Sequence, residues 1–189
     1  MLFTNVNVRP AAAVNRMVFT GVQVFLGSIL IALSAQISIP VPYTPVPVTL
    51  QTLAVMMIAV CLGSRKGTLC VLAYLAESMM GFPVLHGGLA NPLALIGPNG
   101  GYLAGYILQA FLIGQLAERR HTFGKPLALA GIAFVCALQL AIGSLWIGYF
   151  AGYQMAFALG FAPFICGEML KVLIVAQYMY RHEPDTYSG

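Results

Sequence analysis

The sequence predicts an all-α membrane protein, a bundle of six transmembrane helices with both termini in the cytoplasm. Three observations lead there. Of 189 residues, 60% are apolar and 7% charged, where a soluble domain carries roughly a quarter charged residues. The apolar excess is divided into six stretches near the length of a membrane crossing, about 17 to 25 residues. Finally, the basic residues alternate with those stretches in a way that only an even number of crossings explains.

The stretches run over about 17–37, 48–63, 67–82, 100–117, 127–150 and 157–180. The first follows Arg9 and Arg16 and lacks a small-residue cleavage site, so it reads as a retained helix. The second and third are short for a crossing and are separated by Arg65 and Lys66. Arg119, Arg120 and Lys125 lie between the fourth and fifth, and Arg181 follows the sixth. With the N-terminus inside, these eight cations all fall on the cytoplasmic side and none on the other, the asymmetry that fixes topology. No linker or polar block divides the chain, so residues 1–189 form a single embedded domain.

The segments assigned to the outside are uncharged and rich in Pro, Gly and Asn. Residues 40–47 read PVPYTPVP and 83–99 read PVLHGGLANPLALIGPN, neither compatible with regular helix. With Tyr43, Leu85 and Leu89 they are candidates to fold back over the bundle and close a pocket mouth, or else to serve as tight turns.

Several function classes are excluded. The net charge of +4 is a topology signal rather than a nucleic-acid footprint. His86, His121 and His182 have no metal-binding spacing, and no nucleophile elbow or phosphate loop occurs, so neither a catalytic centre nor a metal or cofactor site is expected. Cys61, Cys70, Cys136 and Cys166 lie in apolar stretches and read as packing residues.

What remains is the charge placed where charge is expensive. Glu77, Glu168 and Lys171 fall inside the spans, and ionisable residues at such depth mark function by default. Glu168 and Lys171 are spaced i, i+3 and share a helix face, about 7 to 8 Å below Pro163 at helical rise. A carboxylate beside an ammonium offers an acceptor and donors to a small polar headgroup such as a cyclic urea; a self-contained ion pair is the structural alternative. Gln51, Asn91 and Asn99 are candidate additional contacts. Glu77 reads as a third site member or, more simply, as a packing residue. Relaying protons through these three charges, the chain would be a stand-alone secondary transporter, although its spans show no inverted repeat.

Three motifs, PVPVTLQT at 45–52, GPNGGY at 97–102 and GExxK at 167–171, resemble in type and order the BioY family of biotin-specific S components of energy-coupling-factor transporters. The likeness implies a six-helix bundle in a bacterial plasma membrane that holds biotin near the outer surface. It also implies a transmembrane coupling protein and two ATPases as partners. It places Glu168 and Lys171 at the ligand and Asn91 in a loop that supplies a further polar contact; Gln51 and Tyr102, which fall within the matching motifs, are expected to bind substrate with them. The family more often has Asp at the position of Glu168 and GPTGG where this chain has GPNGG. Ser28 and Ala32 match in kind the small-residue pattern with which S components meet the coupling protein.

Overall fold

The computed structural model describes residues 9–88, 90–122 and 124–181, with side chains from residue 14 onward. It contains helices α1 (Arg9–Gln36), α2 (Gln51–Met79), α3 (Gly100–Glu118), α4 (Lys125–Ala151), α5 (Tyr153–Gly160) and α6 (Ile165–Arg181), with two-residue strands β1 (Ser38–Ile39) and β2 (Val48–Thr49). Among the described residues, four segments are long and apolar enough to cross a membrane: Val14–Gln36, Gln51–Met79, Lys125–Ala151 and Tyr153–Arg181. The outward-facing large residues of α1, Phe19, Val22, Phe25 and Leu26, are exposed. Such a surface suits lipid rather than water.

The second and third stretches form one helix interrupted at a single residue. Gly63 adopts φ 81° and ψ 176°, a conformation open to glycine at little cost, and the chain reverses there. Gln51 and Tyr74, which would be about 35 Å apart on a straight helix, are joined by a 2.6 Å hydrogen bond. The arms press together closely enough that a Cβ on Gly67 would lie 2.9 Å from Ala59 Cα. This corrects the expected boundaries: 64–66 are helical rather than a loop, and 48–49 are strand, paired antiparallel with 38–39. The Pro-rich loop 40–47 is thereby pinned at its base.

The reversal is held from α3. Glu118 accepts from the Ser64 backbone N–H at 2.7 Å and from its hydroxyl at 2.9 Å, capping the second arm with a carboxylate at the positive end of its dipole. Glu118→Ala should lower stability by about 1 to 2 kcal/mol, and Glu118→Gln by less. Thermal unfolding in detergent checks this, and an unchanged midpoint for the alanine variant would deny the cap.

The last stretch is also interrupted. Pro163 lies in a short 3₁₀ turn between α5 and α6, because its ring cannot continue an α-helix. Glu168 consequently sits in the first turn of α6, where the helix dipole favours a carboxylate. Tyr102 packs into the gap: a Cβ on Gly143 would lie 2.2 Å from its ring, and its hydroxyl donates to the Gly160 carbonyl.

All four cysteines are free thiols. Cys70 and Cys136 are packed in the core as expected, whereas Cys61 and Cys166 are exposed and do not pack there.

Candidate functional site

Two chain segments far apart in sequence build the polar centre, residues 49–52 at the start of α2 and residues 168–171 of α6. Glu168 and Lys171 are each 6% exposed and 2.7 Å apart. Lys171 Nζ also donates to the Thr49 carbonyl and to Thr52 Oγ1, both at 2.7 Å, so all three ammonium hydrogens are engaged within the protein. Thr52 donates in turn to Glu168 Oε1 at 2.6 Å. The β1–β2 ribbon is what places the Thr49 carbonyl there.

Two buried acceptors in this centre lack partners. Glu168 Oε2 is buried without a hydrogen-bond partner, and so is Gln139 Oε1. Both residues line one small cavity of about 30 Å³, together with Thr49, Thr52, Tyr106 and Lys171. Two unpaired buried acceptors are costly and call for a molecule that presents donors.

A second cavity of about 100 Å³ lies on the loop side, sharing Val46, Pro47, Thr49, Tyr102 and Tyr106 with the first. Its other walls include Gln51, His86, Asn91 and Asn99. Gln51 is held by Thr49 at 3.1 Å and Tyr74 at 2.6 Å. Asn91 turns its side chain back to the Leu93 N–H at 3.0 Å, an Asx turn that shapes the loop, while remaining on the wall.

The long loop covers this cavity and is tied at three points. Gln36 of α1 donates to the Leu85 carbonyl at 3.0 Å and accepts from Gly88 N–H at 2.9 Å. Trp146 of α4 donates to the Gly97 carbonyl at 2.9 Å. Asn99 Nδ2 lies 3.1 Å from His86 Nε2, and burial lowers the His86 pKa from its ordinary value, which favours the neutral ring as acceptor. Leu85 is buried, whereas Tyr43 is exposed at a positive φ; Leu89 lies outside the described residues.

The remaining candidates fall elsewhere. Ser28 is fully buried and hydrogen-bonds Glu77 at 2.6 Å across α1 and α2, so its side chain faces the bundle. Ala32 is partly buried against the core. Glu77 thus joins two helices away from the Glu168 and Lys171 centre. Gln139, Thr49 and Thr52 join the site without having been sequence candidates; for Gln139, a glutamine in the middle of an apolar span is the signal.

The model of the BioY family matches residues 7–185. The chain is 39% identical over 149 residues to the biotin transporter BioY of Thermotoga maritima, covering 78% of this chain and 85% of that protein. It is 35% identical to the biotin transporter BioY2 of Lactococcus lactis, covering 79% and 82%. A crystal structure of the S-component for biotin from an ECF-type ABC transporter superposes with a TM-score of 0.71 at 26% identity, covering 97% of this chain and 96% of that one. With its fold, its motifs and its relatives in agreement, this multi-pass membrane protein belongs to the BioY family.

Proposed function

We propose that this chain is the biotin-binding membrane subunit of an importer, and that biotin's ureido ring meets Glu168 and Gln139. The observation that carries the reading is the pair of orphaned acceptors beside an ammonium whose hydrogens are already engaged. A cyclic urea brings two N–H donors, one for each acceptor, and its carbonyl oxygen competes for a hydrogen of Lys171. Tyr102 and Tyr106 would flank the bicyclic body, with the tail toward Gln51, Asn91 and Asn99. The two cavities are small and meet at the 46–49 segment, so entry requires that segment and the loop above it to shift.

In this reading the membrane is crossed six times: by α1, by each arm of α2, by α3, by α4, and by α5 and α6 together. The termini face the cytoplasm of a bacterial plasma membrane, as the distribution of cations favours. Impermeant thiol labelling on a background without native cysteines checks this. A cysteine at position 86 should label in intact cells, and one at position 65 only after disruption; the reverse pattern would overturn the orientation.

A transmembrane coupling protein and two ATPases would supply the energy, since the chain carries no phosphate-binding loop. Ala32 and the exposed side of α1 would meet the coupling protein, with Ser28 supporting that helix from within. The decisive experiment is to purify the chain in mild detergent, identify by mass spectrometry what small molecule accompanies it, and titrate the emptied protein with biotin. We expect biotin to be retained and to rebind one to one; an emptied, well-folded protein that ignores biotin would sink the assignment.

A further inference from the structure

The seam between α4 and α6 carries two hollows on its outer side. At the end bearing the chain's basic residues it forms a hollow of about 670 Å³ lined by Lys125, Leu129, Leu173, Tyr180 and Arg181. Leu129 and Leu173 continue into a deeper hollow of about 380 Å³, whose floor includes Ala133, Ala137 and Met169. The deeper part is walled by apolar side chains apart from Glu168 at its edge, a carboxylate already paired with Lys171. The two small alanines are what leave the furrow: both are exposed.

Charge is concentrated at one end. Lys125 Nζ lies 5.7 Å from the centroid of the Tyr180 ring, a cation–π distance that holds the ammonium over the hollow. Arg181, in the last turn of α6, lines the same hollow. Among the described residues, no acidic side chain lines this upper hollow. From Arg181 down to Met169 is twelve residues of helix, about 18 Å, slightly more than half of a 30 Å hydrocarbon core. Cations at headgroup depth above a furrow one leaflet long match the shape and charge of a single lipid.

We propose that this seam holds one anionic phospholipid of the cytoplasmic leaflet, its phosphate between Lys125 and Arg181 and one acyl chain along Leu129, Leu173, Ala133 and Met169. The leaflet assignment rests on the orientation argued above; the lipid contact itself does not. The acyl chain fills the seam that α4 and α6 leave, and the headgroup neutralises the two cations that line it. Because Glu168 borders the furrow, the lipid would also seal the back of the polar centre from the bilayer.

The test is native mass spectrometry of the full chain in detergent, delipidated and then offered phosphatidylglycerol, phosphatidylethanolamine or phosphatidylcholine with identical tails. Wild type should retain one phosphatidylglycerol in preference to phosphatidylcholine by about ten-fold or more, given two cations near the headgroup. The double variant Lys125→Gln, Arg181→Gln should lose that preference, and Ala133→Trp, which fills the furrow, should reduce retention of every lipid. Biotin titration of each variant runs in parallel: normal biotin binding with lost lipid selectivity separates this site from the vitamin site. Equal retention of all three lipids by wild type, or undiminished selectivity in the double variant, would overturn the proposal. So would a dimer of the wild-type chain that Ala133→Trp dissociates, because a second copy would then fill the seam.

Discussion

Lys171→Met should weaken biotin binding by about 2 to 5 kcal/mol, the cost of truncating one member of a buried hydrogen-bonded charge pair. That corresponds to about 30-fold to several thousand-fold in affinity. The bonding of Lys171 is the reason to expect so large an effect. Lys171 bonds Glu168, Thr52 and the Thr49 carbonyl at 2.7 Å each, so its loss strands Glu168 and releases the strand that carries Thr49. Glu168→Gln keeps the size of the side chain and one acceptor, and should be milder. Glu168→Asp should bind nearly as well as wild type, provided the shorter acid still reaches the ring. Isothermal titration of each purified variant, with its elution profile as a check on folding, measures the series. Unchanged affinity for a well-folded Lys171→Met would reduce the pair to a structural ion pair.

Gly114→Val should abolish the folded bundle. A Cβ at this position would lie 2.3 Å from Ser64 Cα and 2.8 Å from Gly63 C. Both are backbone atoms of the reversal, which no change of rotamer can move aside. Overpacking a core commonly costs about 1 to 3 kcal/mol; with backbone opposed to backbone, we expect about 3 kcal/mol or more. The readout is the yield of monodisperse protein after detergent extraction. Gly21→Ala is the control, since nothing lies within 4 Å of a Cβ there. Normal yield and biotin binding for Gly114→Val would show that α3 does not depend on this close approach.

Much of the helical framework and the central ion pair were legible in the sequence, because both follow from the cost of placing polarity in lipid. The 100–117 and 127–150 stretches correspond closely to α3 and α4, whose ends are marked by glycine, proline and charge. The hairpin differs from the sequence expectation for a physical reason: Arg65 and Lys66 look like a loop, yet one glycine with positive φ turns the chain while both cations remain helical. Ser28 shows a different limit. A small residue in a ridge predicts close approach but not to what, and here the neighbour is Glu77. Gln139 is a lone amide in an apolar span, and the cost of polarity at depth that marks Glu168 applies to it as well.

The i, i+3 spacing of Glu168 and Lys171 also bears on how the chain is made. During synthesis α6 reaches the membrane with Glu168 and Lys171 already able to neutralise each other, so the stretch that carries them can enter the bilayer without net charge, while Arg181 stands at the helix end. Thr49 and Thr52 will have been inserted long before. Thr52 and Glu168 are 116 residues apart, and their meeting joins the start of α2 to α6. The polar centre therefore forms only once α6 has docked against the start of α2.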